Sequence, residues 1–458
     1  MKRSNQKDFS KGSVWGNILS IALPMILAQL INLLYNVVDR IYIGHIPGAD
    51  ALAMTGVGLT LPVISIIGAF ANLYGMGGAP LFSMARGKGD RERCSSVMGN
   101  SFTMLLATGV MLGLLCYFFR RPVLYLFGAS DATYPFADDY LTIYLTGTLF
   151  VMISQGMNYF INAQGFGVMG MLTVSIGAVL NMLLDPLFIF TLGLGVKGAA
   201  IATVIAQGVS AVWALGFLMS RRALIPVQLS GMRLNWKTVG EIVALGLSGF
   251  VMNITNSVAQ IMGNAMLQIW GGDLFVGVMT VINSVREIIT LPLRGLTSGA
   301  QPVISFNYGA GKYDRVKSAI RFMTASSVFI SFLAWGLLFF FPRFFLQMFN
   351  DDPALIEAGI PAMRMYFGGI FMMSLQFAGQ ATFVALGCSK QAVFFSMFRK
   401  VAIVAPLTVI LPYLANLGTD GVFLAEPVSN FVGGIACYTT MLVVVGRKLR
   451  QSGQGEKV

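Results

Sequence analysis

Residues 18–43 read ILSIALPMILAQLINLLYNVVDRIYI, a long and almost uncharged run that indicates a membrane-spanning helix. An α-helix rises about 1.5 Å per residue and the hydrocarbon core of a bilayer is about 30 Å thick, so about 20 mostly apolar residues cross it. The run is long enough, and its only charged residues are Asp39 and Arg40. It is too long for the core of a signal peptide. We therefore predict a retained membrane-spanning helix after a cytoplasmic leader at residues 1–17.

The rest of the chain repeats this pattern. Hydrophobic residues make up 56% of the 458 and charged residues 11%, whereas a soluble domain carries about 25% charge. A soluble fold could not bury so much apolar surface. The predicted spans are 18–43, 51–74, 94–119, 140–161, 169–190, 199–219, 242–268, 274–297, 319–341, 360–385, 392–414 and 421–446. They predict an all-α integral membrane protein with 12 transmembrane helices.

The basic residues predict its orientation. Of the 31 lysines and arginines, we assign 23 to one side of the membrane, including Lys390, Arg399 and Lys400, five to the other side, and three to the spans themselves. The positive-inside rule then puts both termini in the cytoplasm. We expect a multi-pass protein of the plasma membrane, of the kind found in the bacterial inner membrane, and no nucleic-acid partner for the net charge of +12.

The two halves of the chain share one template. PLFS at residues 80–83 recurs as PVIS at residues 302–305, and the same offset maps Tyr144 onto Tyr366. Repeats of this kind in transporters flank the substrate site. We therefore predict two pseudo-symmetric six-helix bundles. Their bounds are 1–17 for the leader, 18–219 for the N-terminal lobe, 220–241 for a cytoplasmic linker, 242–446 for the C-terminal lobe and 447–458 for a cytoplasmic tail.

Two acids in the first half are candidates for an ion site, because ionisable groups inside a membrane are costly. Tyr35, Asn36 and Asp39 are spaced to share one helix face, as are Asn181 and Asp185. Such carboxylates, with amide and hydroxyl oxygens nearby, could ligate Na⁺ or take up a proton. The alternative for Asp39, a salt bridge to Arg40, is disfavoured because consecutive helix positions diverge by about 100°.

The second half lacks both acids, since the offset maps Asp39 onto Ile261 and Asp185 onto Leu407. It carries instead polar stripes on its first and fourth spans. Glu287 is either a cavity acid that attracts cations or the structural partner of an arginine. Glu426, which precedes Pro427, is a less favoured candidate.

For the substrate we predict a cavity lined by apolar and amide side chains, because a polyspecific site works through shape and adaptable contacts. The candidates are Tyr35, Asn36, Gln155, Asn158, Asn162, Met252, Asn256, Gln260, Glu287, Phe377 and Gln380. The four scattered cysteines and the single His45 predict neither a metal centre nor an enzyme. We expect a monomer in the bilayer that binds small drugs or metabolites, with no cofactor and with H⁺ or Na⁺ as the coupling ion.

Three motifs together resemble the multidrug and toxic compound extrusion (MATE) family: VVDRIYIG at residues 37–44, LNMLLDP at 180–186 and GAQPVISFNYGAG at 299–311. The resemblance covers nearly the whole chain. It implies a V-shaped pair of six-helix bundles that exports cationic amphipathic compounds in exchange for H⁺ or Na⁺. It also implies roles for five residues: Asp39, Asn181, Asp185 and Thr203 match the family's first-lobe cation cluster, and Pro24 matches the proline at which the first helix bends.

The sequence departs from the family branch that carries an acid on the seventh helix, where Asn253, Thr255 and Asn256 stand here. This favours an ion site in the first lobe. The alternative within the superfamily, a lipid-linked saccharide flippase, would need a strongly cationic cavity for pyrophosphate. Only Arg40, Arg286 and Arg294 are assigned to spans. A channel is a further alternative. The two-fold repeat, with acids in only one half, argues for a carrier instead.

Overall fold

Every secondary-structure element of the computed structural model is helical in the residues that it describes, 7–46 and 50–455. The ends of the predicted leader and tail lie outside these residues. The helices are α1 Val14–Ile43, α2 Asp50–Gly58, α3 Leu61–Lys88, α4 Arg91–Leu126, α5 Tyr134–Thr146, α6 Thr148–Ala163, α7 Gly167–Pro186, α8 Gly195–Met219, α9 Trp236–Gly309, α10 Tyr313–Phe340, α11 Pro342–Gln347, α12 Pro353–Tyr366, α13 Ile370–Ala385, α14 Ser389–Met397, α15 Ala405–Ile410 and α16 Thr419–Gly455. Wider π-helical turns follow α7 and α14, at Leu187–Thr191 and Phe398–Val404.

The helices account for the twelve predicted spans. By length and composition, nine helices of the described chain can cross a membrane, and α5 with α6, bent by 57°, forms a tenth span. Helix α9 is 74 residues long, but Gly272 within it has φ 65° and ψ −162°, a conformation that glycine alone adopts readily. It therefore comprises two spans. The apolar α13, preceded by α12, completes the set.

The structure repeats with the offset found in the sequence. Under that shift, Thr148–Ala163 coincides with Ile370–Ala385, and Gly167 at the start of α7 coincides with Ser389 at the start of α14. Gly147, where α5 meets α6, corresponds to Gly369, which precedes α13. The prediction of two related six-helix bundles is confirmed.

Contacts divide the described chain into two units. The first unit contains residues 7–9 and 23–246, and the second contains residues 10–22 and 247–455. The start of α1 belongs to the second unit because it packs tightly on α9. A methyl group at Gly299 would lie 2.6 Å from the Ala22 amide nitrogen.

The segment predicted as a linker packs on α4 in the first unit. Asn100 donates through Nδ2 to the carbonyl of Arg233 at 3.2 Å and accepts at Oδ1 from the Asn235 amide at 2.8 Å. Arg93 forms an ion pair with Glu241 and donates to Thr238 Oγ1 at 2.7 Å. These bonds hold the start of α9, which begins at Trp236, against α4.

Glycines permit a close crossing of α3 and α9 in the first unit. A methyl group at Gly246 would overlap the carbonyl oxygen of Leu73, and one at Gly77 would overlap that of Ile242. Small residues at such crossings let two backbones approach in a membrane protein, where packing replaces the hydrophobic effect as the driving force.

Candidate ion site and charged cluster

Helices α1 and α7 bring the two predicted acids together. The carboxyl groups of Asp39 and Asp185 lie within interaction distance of each other, and Asp185 is fully buried. One oxygen of each carboxyl group is buried without a hydrogen-bond partner. Two neighbouring carboxylates repel each other, and protonation of one removes that repulsion and supplies a hydrogen-bond donor. The pair is therefore suited to binding a proton.

Asn181 connects Asp185 to Thr203 on α8. Its Nδ2 donates to Asp185 Oδ2 at 2.7 Å, and its Oδ1 accepts from the amide and the hydroxyl of Thr203, each at 3.1 Å. The Thr203 hydroxyl also lies 3.0 Å from the Ala199 carbonyl oxygen. The four residues that the resemblance assigned to a cation cluster thus form one connected group.

Tyrosines close this group on one side. Tyr35 and Tyr140 both lie close to the side chain of Thr203, and the ring of Tyr140 stacks on that of Tyr144, with centroids 6.1 Å apart. Tyr35, predicted as a cavity residue, therefore lies beside the candidate ion site. Sequence analysis missed Tyr140.

Local sequence explains how α7 presents these side chains. Asn181 and Asp185 are four residues apart and so lie on one face of α7. Pro186, which has no amide hydrogen, follows at once and ends the regular helix, and a π-helical turn begins at Leu187. Gly198 on α8 allows the approach of that turn, since a methyl group there would lie 2.5 Å from the Phe188 carbonyl oxygen. Departures from regular helix of this kind are frequent at functional sites.

The other predicted cavity residues of the first unit differ in exposure. Asn36 is exposed and donates to the Asn32 carbonyl at 2.7 Å within α1. Gln155 is exposed, Asn158 is half-buried and Asn162 is buried. The side-chain oxygens of Asn158 and Asn162 are buried without a hydrogen-bond partner.

In the second unit, Gln380 is buried and hydrogen-bonded to Ser396 Oγ. Gln260 is exposed, whereas three of the predicted residues are half-buried: Met252, Asn256 and Phe377. Glu287 is exposed and makes no ion pair with an arginine in the part of the chain that the structure describes.

The assignment of Arg399 and Lys400 to a cytoplasmic connector is wrong. Both side chains are buried, at 8% and 4% exposure, within the apolar segment Ser389–Leu414. Arg399 Nη1 donates to Glu426 Oε1 at 2.9 Å, and Lys400 Nζ donates to both oxygens of Glu426, at 3.0 and 3.1 Å. The spans therefore hold five bases, and 21 of the 31 basic residues stay on the predicted cytoplasmic side.

A signal for this cluster was present in the sequence. Arg399 and Lys400 fall inside the predicted span 392–414, and Glu426 falls inside 421–446. Charges within spans mark functional or paired groups. A small cavity of about 40 Å³ in the same unit is lined by Glu426 and Lys400, with Arg286 and the predicted residues Asn256 and Gln260.

Comparison with known proteins relates both halves of the chain to one family. The sequence profile of the MatE family matches residues 24–187 and 249–410. Among curated relatives, the multidrug export protein MepA of Staphylococcus saprophyticus subsp. saprophyticus is 24% identical over 411 residues, which cover 89% of this chain and 90% of the relative. MepA of Staphylococcus haemolyticus is 23% identical over 441 residues, which cover 94% of this chain and 95% of the relative.

Solved structures share the fold at similarly low identity. A MATE protein crystallised in a bent conformation superposes with a TM-score of 0.91 at 22% identity, covering 97% of this chain and 98% of that one. A transporter of the MOP superfamily from Pyrococcus furiosus, reported to have a binding pocket of reversed polarity, gives a TM-score of 0.89 at 22% identity and covers 96% and 98%.

Proposed function

Since the chain belongs to the MatE family of membrane transporters, we propose that it is a secondary active antiporter that exports cationic or amphipathic small organic compounds in exchange for H⁺ or Na⁺. The observation that carries the proposal is the pair of neighbouring carboxyl groups of Asp39 and Asp185 in the first unit. The curated relatives, named as multidrug export proteins, support a small-molecule substrate.

The carboxyl pair favours H⁺ over Na⁺. Two neighbouring carboxyl groups can share a proton directly, whereas a sodium ion needs further oxygen ligands. Asn181 and Thr203 could supply such oxygens, but the hydrogen bonds of Asn181 are best satisfied with its NH₂ group towards Asp185. In that orientation the amide donates to Asp185 and presents no oxygen to a cation beside it.

Loss of the proton supplies the conformational step. It would leave two carboxylates in contact, and their repulsion would favour a different position of α1. Pro24 lies inside α1 and has no amide hydrogen to donate to the Ser20 carbonyl, so the helix is weakest in the turn before Pro24. Bending at Pro24 would let the segment that carries Asp39 move while the start of α1 keeps its own packing.

Export follows if proton and substrate favour different states of one two-state equilibrium. A proton that enters from outside would favour the state that releases the substrate there, and its loss inside would favour the state that binds a new substrate. The predicted cavity residues would contact the substrate along its path.

The buried bases Arg399 and Lys400 add positive charge that the flippase alternative requires. The volume of the cavity beside them argues against that alternative. The cavity beside them measures about 40 Å³, against about 300–1,000 Å³ for sites that hold a drug-sized molecule. It has no room for a sugar diphosphate or for a drug-sized molecule, so these two bases give the flippase no binding site in this structure.

The proposal is tested with purified protein in liposomes loaded with a cationic dye. A pH gradient and a Na⁺ gradient are imposed separately at the same membrane potential. We expect saturable efflux with the pH gradient alone. Efflux with the Na⁺ gradient alone would overturn the choice of H⁺, and efflux with neither, together with transfer of a labelled lipid-linked saccharide, would overturn export of dyes in favour of the flippase.

A further inference from the structure

The second unit buries more positive than negative charge around Glu426. Arg399 and Lys400 both hydrogen-bond to this carboxylate, and Arg286 Nη1 lies 4.0 Å from its Oε1. Glu426 is 5% exposed. One acid therefore faces three bases within membrane-spanning helices.

The neighbouring charges do not restore the balance. Glu287 and Arg294, on the same helix as Arg286, act electrostatically on it, but one is an acid and the other a base. The charged groups acting on Lys400 are Glu426, Arg399 and Arg286. The cluster thus carries two formal positive charges in excess. Uncompensated charge is costly in a membrane, so the cluster is suited to an anion that is not part of the chain.

Space for such an anion adjoins the cluster. The cavity of about 40 Å³ is lined by Arg286, Tyr366, Lys400 and Glu426 together with Asn256 and Gln260. A buried water needs about 10–15 Å³ by the same kind of measure. The cavity therefore accommodates a small ion with a water molecule, or the carboxylate end of a larger compound that enters past the exposed Gln260.

Hydrogen-bond donors remain available on the residues that line it. A guanidinium has five N–H donors, of which Arg286 gives one to the Tyr366 hydroxyl at 2.9 Å. Lys400 has three, and its two hydrogen bonds to Glu426 leave one. Behind the cavity, the buried Nε of Arg399 also has no partner in the described chain.

We propose that this cavity is an anion-binding site for chloride or a carboxylate group, held by Arg286 and Lys400. The site is separate from the carboxyl pair of the first unit and requires no particular coupling ion. An anion here would neutralise part of the excess positive charge and accept hydrogen bonds from the free N–H donors. It would also let the protein take substrates that carry a carboxylate besides a cationic group.

Binding is measured with ³⁶Cl⁻ on the purified full-length protein, in gluconate buffer of constant ionic strength. We expect saturable binding by the wild type and at least a tenfold loss of affinity in Arg286→Gln. Arg294→Gln is the matched control, because this exposed arginine lies on the same helix and outside the cavity. Its affinity for ³⁶Cl⁻ should fall far less than that of Arg286→Gln, because Arg294 does not contact the cavity. Equal binding by both variants and the wild type, or no saturable binding by any of them, would overturn the chloride site.

Glu426→Gln separates an electrostatic role from a structural one. Removing the acid increases the positive charge of the cavity, so ³⁶Cl⁻ should bind more tightly, opposite to the effect of Arg286→Gln. If both variants lose affinity while their melting temperatures match that of the wild type, the proposal is wrong. Should Glu426→Gln fail to fold, the comparison of Arg286→Gln with Arg294→Gln still decides.

Two fluorophores distinguish inorganic chloride from an organic carboxylate. Rhodamine 110 carries a free carboxylate, and rhodamine 123 is its methyl ester. Displacement of ³⁶Cl⁻ by the acid and not by the ester assigns the carboxylate as an occupant. Chloride binding that neither dye displaces assigns the site to the inorganic ion. If the wild type binds no chloride and Arg286→Gln binds the acid as tightly as the wild type does, the proposal fails for both sources.

Discussion

Asp39 on α1 and Asp185 on α7 place their carboxyl groups next to each other in the first unit. Their proximity connects the helix that contains Pro24 to the helix that ends at Pro186. A change in the protonation of this pair therefore acts directly on the packing of α1.

Asn181→Leu should weaken the coupling of ion to substrate. The variant removes the 2.7 Å bond from the amide to Asp185, and hydrogen bonds to charged groups contribute about 1.5–3 kcal/mol. Because a factor of ten corresponds to about 1.4 kcal/mol, efflux at a fixed pH gradient should fall at least tenfold. Gln207→Leu, which removes a contact with Ser154 at 2.9 Å on the neighbouring helix, is the control and should retain efflux. Equal efflux by the two variants would contradict the prediction.

Pro24→Ala should slow transport without loss of substrate binding. Alanine restores the missing amide hydrogen and favours a straight α1, since proline costs about 3 kcal/mol in a helix interior. Dye affinity, measured by fluorescence polarisation, should be unchanged while the efflux rate falls. Pro122→Ala, in the last turns of α4, serves as the control. A normal efflux rate in Pro24→Ala would show that transport does not require bending of α1 at Pro24.

Gly246→Ala should destabilise the first unit. The added methyl group would overlap the Leu73 carbonyl oxygen, and overpacking of this kind costs about 1–3 kcal/mol. Gly240→Ala lies earlier in the same helix, where a methyl group would meet no atom within 4 Å. That variant should be neutral or more stable, because alanine is the better helix former. Melting temperatures in detergent measure both, and a Gly246→Ala protein as stable as Gly240→Ala would refute the close crossing.

Cysteines introduced at Lys88 and Lys312 should react with a membrane-impermeant maleimide only after the cells are opened. The charge asymmetry predicts that both positions are cytoplasmic, since 21 basic residues remain on that predicted side, against five on the other, after the correction for Arg399 and Lys400. The native cysteines are buried or half-buried, so the background is low. Labelling of either position in intact cells would reverse the topology.

Much of the fold could be predicted because its signals are local. Each span is a long apolar run, and the internal repeat is visible in glycine and proline positions that end or bend helices. Periodicity also put Asp39 and Asp185 on polar helix faces. It could not show that the two faces meet, since helical spacing fixes a direction around one axis and says nothing about the neighbouring helix.

The charged cluster of the second unit escaped prediction for a related reason. Counting Arg399 and Lys400 as cytoplasmic followed the rule that lysines and arginines lie in connectors. Both residues lie instead in a π-helical turn, Phe398–Val404, inside the span, where they donate hydrogen bonds to Glu426. Tyr140 was missed too, because a tyrosine four residues from Tyr144 is equally typical of ordinary packing and only its position beside Thr203 marks it.

Gradient-driven efflux by Asp39→Asn measures whether the carboxyl pair couples proton entry to export. The variant keeps the shape of the side chain and removes its ability to exchange a proton. In liposomes, purified Asp39→Asn should bind dye as the wild type does and show no efflux driven by a pH gradient, and Asp185→Asn should behave alike. Asp139→Asn, which breaks only an exposed ion pair with Lys197 at 3.3 Å, should transport normally. If Asp39→Asn showed the efflux of the wild type under the same gradient, the carboxyl pair would not couple protons to export.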